Sequence, residues 1–322
     1  LSLEAKEGLS LINGTPLMAC RAALALIDID ALLPAALGAA AMSIDACRAT
    51  DAFLDDRLHA ARNQPGQRKV AAAIRSLLAG SEILPSHRDN DPRVQDPYSL
   101  RCIPQVLGAA CDTIDAIRPA ILGELAAVTD NPLVFPNPHG PGDIISGGNF
   151  HGMPVAIPMD VLSIALAHVA GISERRTFLM LAAADPEAHL RPYLSPHPGV
   201  SSGLMIAQYT AAACCNEIIT LCTPASVANI TTSAGMEDYN SFGPRAASKL
   251  ARVIELTRHV VAIELLCAAQ ALEYHRPLTS GRGVEQVYQS IRGIVPPLTG
   301  DRSPAPDIEA ITELIADAEF SL

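Results

Sequence analysis

"PLMACRAALALIDIDALLPAALGAAAMSIDACRAT", Pro16 to Thr50, decides what kind of fold this chain adopts. Alanine and leucine dominate it, and both are strong helix formers. A proline, Pro34, stands inside it. The stretch exceeds the about 8 to 20 residues usual for a globular helix. It is also apolar nearly all round, so a helix made from it must be buried on several sides. Four further stretches read the same way: Pro104 to Val128 with Pro119 inside it, Met153 to Ala184, Ser202 to Cys222, and Pro244 to Tyr274. The simplest burial for such helices is among other helices, including those of other subunits.

Composition agrees with a helical bundle. Of 322 residues 49% are apolar but only 4% aromatic, and tryptophan is absent. That balance favours close-packed helices over a sandwich of β-branched and aromatic strands. The fold class expected is therefore all-α (mainly α), a long-helix bundle. A central bundle with active-site loops is expected over residues 1–275, and a C-terminal region of short helices over 276–322. In that region the Pro-rich "VPPLTGDRSPAPD" precedes a last helix near Ile308 to Ala318.

The formal charge is −11 and no lysine or arginine run stands out, so the electrostatic footprint of a nucleic-acid binder is missing. Eight scattered cysteines without paired CxxC spacing read as buried free thiols of a reducing cytoplasm. A membrane span needs about 20 uninterrupted apolar residues. The greasiest windows, Met153 to Ile172 and Leu204 to Leu221, are broken by Asp160 with His168 and by Asn216 with Glu217. A soluble, cytoplasmic protein is expected.

Between the helices lie loops rich in Gly, Pro, Asn and Asp: "HRDNDPRVQDP", "TDNPLVFPNPHGPGDIISGGNFHG", "LSPHPGVSSG" and "TTSAGMEDYNSFGP". They hold most of the polar groups able to do chemistry. In "VQDPYSLRCIPQ", Val94 to Gln105, Asp96 is placed to cap a helix whose first residue is Pro97. Tyr98 and Arg101 then fall three residues apart on one face of the first turn. There the guanidinium can grip a carboxylate through two parallel donors while the phenol donates a hydrogen bond or exchanges a proton. An ordinary helix start with a structural salt bridge has the same spacing. In "ISGGNFHG" a glycine pair before Asn149, Phe150 and His151 allows backbone close to a ligand, or simply a tight turn into a helix. In "GMEDYNS", Glu237 beside Asp238 suits a solvated turn. If partly buried, Glu237 would have its pKa raised and could hold or move a proton. Asp55, Asp56 and His59 share helical spacing, but no second ligand set completes a metal site, and none is expected.

Taken in order, "LEAKEGLSLINGT", "VQDPYSLRCIPQ", "TDNPLVF", "ISGGNFHG", "ISERR" and "TSAGMEDYNS" resemble the signatures of the aromatic amino acid ammonia-lyases, with histidine ammonia-lyases the nearest branch. The resemblance runs from Leu1 almost to the end. It implies a bundle of the ammonia-lyase/fumarase-like type, a homotetramer, and elimination of ammonia from an α-amino acid, L-histidine giving urocanate. It also implies an electrophilic prosthetic group, 4-methylideneimidazol-5-one, formed from an Ala-Ser-Gly tripeptide. By motif match Asn13 would sit near that electrophile, Arg101 would hold the substrate carboxylate, and Gln95 and Tyr98 would line the site. Phe150 would pack near the electrophile and substrate, and Glu237 would contact the imidazole or amine end.

Two departures stand against this pattern. The chain contains no Ala-Ser-Gly, which in the family lies N-terminal to the segment resembling residues 1–15. The absence of an initiator methionine and the abrupt start give the expectation of a C-terminal portion, inactive alone, that needs the N-terminal portion of the same enzyme as partner. Gly235 and Met236 also stand where histidine lyases commonly have Asn-Gln, and "DYNSFG" leans toward phenylalanine lyases. A phenylalanine or tyrosine ammonia-lyase, an aminomutase, and a non-catalytic helical assembly subunit are the alternatives.

Overall fold

The computed structural model describes residues 2–89 and 91–320. Five long helices form where the apolar stretches stand: α2 (Pro16–Ala46), α7 (Ile103–Leu125), α8 (Met153–Ala182), α9 (Met205–Leu221) and α10 (Gly243–Leu272). Each end falls within four residues of the boundary read from sequence. Pro34, Pro119 and Pro158 are all accommodated inside helices. The shorter elements are α1 (Glu7–Asn13), α3 (Asp56–Arg62), α4 (Pro65–Leu77), α5 (Ile83–Ser86), α6 (Tyr98–Arg101), α11 (Arg282–Arg292) and α12 (Ala305–Ala316). One antiparallel hairpin, β1 (Leu133–Phe135) with β2 (Asp143–Ile145), pairs Leu133 with Ile145 and Phe135 with Asp143.

The chain packs as two compact units. The first comprises Leu1–Ile27, Ile114–Ile164 and Leu221–Arg252; the second comprises Asp28–Thr113, Ala165–Thr220 and Val253–Leu322. The division falls within all five long helices, in α9 at its last residue.

The core of the first unit is built from Met18, Ala22, Ile121, Val155, Met159, Leu162, Ala246 and Leu250. A buried polar knot stiffens it. The Asp160 carboxylate accepts the Ser226 N–H at 2.8 Å, and the buried Lys249 ammonium donates to the Thr223 carbonyl. This knot fixes the exit from α9 and so the start of the loop that carries Glu237.

In the second unit the α10 run Val260–Leu272 is wholly buried, as are Ile29, Leu32, Met42 and Ile44 of α2 and Leu166, Val169 and Met180 of α8. The helix α4 starts with Pro65, which lacks the N–H that the first turn would leave unpaired. It turns Val70, Ile74 and Leu77 inward at helical spacing. It sits against α7 so closely that a Cβ on Gly66 would meet the Asp112 carboxyl at 2.7 Å, while the Gly66 N–H donates to that carboxylate at 2.9 Å. Only glycine fits there.

Two helices, α2 and α8, are long and apolar enough to cross a membrane by length and composition. Half of the apolar window of α2 and 61% of that of α8 are buried inside the chain itself. That is the burial their all-round apolar surfaces call for.

Candidate active site

Three of the sequence-selected residues, Asn13, Phe150 and Glu237, belong to the first unit, and three, Gln95, Tyr98 and Arg101, to the second.

In the first unit Asn13 ends α1, half-buried. Its amide Nδ2 donates to Asp130 Oδ1 at 3.0 Å and lies 3.5 Å from the Asn131 carbonyl. The next residue, Gly14, presses against Thr129: a Cβ there would collide with the Thr129 carbonyl and stand 2.6 Å from its hydroxyl. Thr15 then locks the approach. Its N–H donates to Thr129 Oγ1 at 3.1 Å and its hydroxyl to Glu124 at 2.5 Å. The Asn-Gly-Thr triplet is thus fixed by glycine's missing side chain on one side of Asn13 and by Asp130 on the other.

From Asp130 the network continues. Asn131 Oδ1 accepts the Gly147 N–H at 2.7 Å and the Ser146 hydroxyl at 3.2 Å, which orders the glycine-rich turn before the half-buried Phe150. His151 Nδ1 takes the Met153 N–H at 3.4 Å, so its Nε2 carries the proton and donates to the Tyr239 carbonyl at 2.9 Å. The Asn240 side chain then donates to the Ile230 carbonyl at 2.6 Å and the Glu237 carbonyl at 3.3 Å. Hydrogen bonds thus hold Asn13 to the Asp130–Asn131 segment, that segment to the turn before Phe150, and His151 to the loop that carries Glu237.

Glu237 closes a tight turn. Thr232 and Glu237 exchange backbone hydrogen bonds at 2.9 and 3.3 Å around Ser233, Ala234 and Gly235, all three in the left-handed region. The Thr232 hydroxyl donates to Glu237 Oε2 at 2.8 Å. Of the two readings of Glu237 the structure has the solvated turn, and the condition for a raised pKa, partial burial, is not met. The side chain is exposed, and the hydroxyls of Thr232 and Ser233 hold its pKa below the ordinary value. It is an ionised acceptor, not a proton store.

In the second unit Arg101 and Tyr98 share one turn, as their spacing requires, with the guanidinium carbon 4.4 Å from the ring centroid. Arg101 Nε donates to the Asp96 carbonyl at 2.8 Å. Tyr98 is 70% exposed and Gln95 is exposed, so the pair looks out of the unit and not into its core. Asp96 does not cap α6. Pro97 holds the N-cap position in extended geometry, and the buried Asp96 carboxylate instead accepts the Thr50 N–H at 2.9 Å. A nearby guanidinium completes the clamp. Arg93 is bidentate to Asp91, pairs with Asp185 at 3.2 Å, and donates to the carbonyls of Cys47 and Arg48, just past the end of α2.

A family model described as aromatic amino acid lyase matches residues 1–293. The chain belongs to that family. Histidine ammonia-lyase of Koribacter versatilis is 46% identical over 330 residues, covering all of this chain and 64% of the relative. The crystal structure of histidine ammonia-lyase from Trypanosoma cruzi superposes with a TM-score of 0.90 at 38% identity, over 99% of this chain and 59% of that one. Tyrosine aminomutase from Streptomyces globisporus gives 0.90 at 32% identity, over 99% and 64%. The chain thus spans about three-fifths of the length of these relatives.

In this member of the family the sequence reading missed Asp130 and Thr232 as partners of Asn13 and Glu237. The signal was present: each is a short polar side chain in a loop, the kind that bonds neighbouring groups. The distant partner of Asp130 left no trace in local spacing. Asp55, Asp56 and His59 have other employment. Asp55 binds Arg57, Asp56 binds Arg68, and His59 lies between the Phe53 carbonyl and Gln67. Among the described residues no three His, Cys, Asp or Glu side chains are grouped to hold a metal.

Proposed function

We propose that this chain, within a protein of its relatives' length, serves an ammonia-lyase that converts L-histidine to urocanate and ammonia. The observation that carries the reading is the setting of Arg101. With Nε given to the Asp96 carbonyl and the plane laid over Tyr98, the Nη edge is left to take a substrate carboxylate through two parallel N–H donors. Tyr98 and Gln95 line that carboxylate's surroundings. Glu237, ionised and oriented by Thr232, suits an N–H of the imidazole or amine end. The 46% identity to a histidine ammonia-lyase supports histidine as substrate, against the Gly235–Met236 departure.

The family's prosthetic group, 4-methylideneimidazol-5-one, arises from a tripeptide that this sequence does not contain. The residues present fit it. Asn13, held by Asp130, and Phe150, which follows the turn that Asn131 holds, are both half-buried and suit a flat polar heterocycle with an amide and an aromatic ring. When bound, that group supplies the electrophile that makes the amine a competent leaving group.

A homotetramer belongs to the same proposal, its loops meeting from different copies. Ile157, Ile164 and Phe178 of α8 are 51%, 39% and 50% exposed and lie seven or fourteen residues apart, the repeat with which one helix packs along another. The eight cysteines, all free thiols, support a cytoplasmic location.

The test is to produce the chain together with an N-terminal segment bearing Ala-Ser-Gly and to incubate the product with histidine, phenylalanine and tyrosine. Urocanate from histidine is the expected outcome. An unsaturated acid from phenylalanine or tyrosine alone, or a β-amino acid, would replace the histidine reading. No product from a correctly modified enzyme would leave only an assembly role.

A further inference from the structure

We propose that Asp130 is the positioning residue that sets the orientation of the Asn13 amide. Asn13 and Asp130 lie 117 residues apart in sequence and meet inside the first unit. Asp130 is 7% exposed and every hydrogen bond it makes is as an acceptor. Oδ1 takes Asn13 Nδ2 at 3.0 Å and the Asn131 N–H at 2.7 Å; Oδ2 takes the Ser10 hydroxyl at 2.7 Å and the Lys6 ammonium.

An amide side chain has a donor end and an acceptor end of nearly equal shape, so its rotamer alone does not fix which end faces a ligand. Both near neighbours of Asn13 on this side, the Asp130 carboxylate and the Asn131 carbonyl, are acceptors only. The NH2 end must therefore face Asp130, and Oδ1 is the end left to meet a donor. The carboxylate enforces this choice because it stays ionised. Lys6 foremost, then Asn13 and Ser10, hold its pKa well below the usual carboxylate range. Lys6 reaches it from a left-handed N-cap position (φ 72°) at the head of the same short helix that ends in Asn13. Asp130 thus grips α1 near its start, its middle and its end, and a rotated amide would set an oxygen against an anion.

The inference rests on the reading of Asn13 as part of the site, and the test separates the two. In the complete enzyme, Asp130→Asn removes the charge and offers an amide that satisfies either orientation of Asn13. The expected result is a kcat lower by about tenfold or more, the scale of one lost charge-assisted hydrogen bond, with KM within about threefold. In an Asn13→Ala background the same substitution should lower kcat by less than about twofold, because its route is gone. Equal losses in both backgrounds would overturn the proposal in favour of a general structural role, as would an unchanged kcat. Independently of turnover, the side-chain amide signals of Asn13 in ¹⁵N NMR should show slowed hydrogen exchange in the parent protein and lose it in Asp130→Asn. If histidine is not the substrate, this readout still decides the proposal: unprotected Asn13 signals in the parent would sink it.

Discussion

Arg176 and Glu264 meet as a bidentate pair sealed from water: Nε to Oε1 is 2.5 Å, Nη2 to Oε2 is 2.8 Å, and both side chains are 0% exposed. The remaining capacity is used as well. Ser43 donates to Glu264 Oε1 at 2.6 Å, and Arg176 Nη1 donates to the Ser99 carbonyl at 3.3 Å. Ser99 lies in α6, the turn that carries Tyr98 and Arg101, so this pair ties α8 and α10 to the helix of the proposed carboxylate grip. A buried ion pair is costly to form, and removing one partner leaves a charge in a medium that cannot solvate it. Arg176→Met or Glu264→Gln alone should lower unfolding free energy by about 3 to 5 kcal/mol. The double variant Arg176→Met with Glu264→Leu should lose much less than the sum. Denaturant unfolding of all three checks this, and additive losses would contradict it.

Asp45, at the end of α2, is buried, and burial lifts its pKa from 3.8 to about 6 against the opposing hydrogen bonds of Ser81 and Gly281. A folded-state pKa above the unfolded one means that the fold prefers the protonated carboxyl. Its stabilising effect is complete below about pH 4 and is lost as pH rises through about 6. The difference amounts to something on the order of 2 to 3 kcal/mol. Asp45→Asn, which cannot ionise, should therefore gain stability relative to the parent as pH goes from about 4 to about 8. Parallel stability curves over that range would show that the carboxyl is not desolvated.

In the proposed carboxylate grip Asp96 holds Arg101 through its carbonyl, and kinetics of the complete enzyme should separate the two residues' parts. Arg101→Lys keeps the charge but loses the fork, and should cut kcat/KM by roughly 5- to 150-fold, corresponding to about 1 to 3 kcal/mol. Asp96→Ala keeps the carbonyl that holds Arg101 but frees it from its tether to Thr50. It should raise KM more than it lowers kcat. Equal kcat/KM for parent and Arg101→Lys would remove the carboxylate grip from Arg101.

The long helices were legible because continuous runs of good helix formers need no partner to declare themselves. The helix α4 has no counterpart in the sequence reading and α11 is covered only by the general expectation of short helices after residue 275, although Val70, Ile74 and Leu77, and likewise Val284, Val287 and Ile291, follow helical spacing onto buried faces. Their polar outer faces and short length made them look like connections. At the site, the pairing of Tyr98 with Arg101 was readable because it is local. The true role of Asp96 was not, because its partner Thr50 comes from a segment 46 residues away. For Glu237 the solvated turn and the partly buried carboxylate stayed open alternatives for a related reason: its exposure and its hydroxyl donors depend on a turn that folds back through three left-handed residues.

That turn yields the last prediction. Thr232 Oγ1 holds the Glu237 carboxylate in its ionised form, so protonation of Glu237 is displaced to lower pH than for an ordinary glutamate. Thr232→Val keeps the shape and removes the donor. The Glu237 pKa should then rise toward its usual value, and the acid limb of the kcat/KM profile for histidine should move to higher pH. Thr232→Ser restores a hydroxyl and should bring the limb back. Because Glu237 is solvent-exposed, thermal stability should barely change. A limb that stays in place in Thr232→Val, with Glu237→Gln abolishing it, would mean that Ser233 alone sets the charge of this carboxylate.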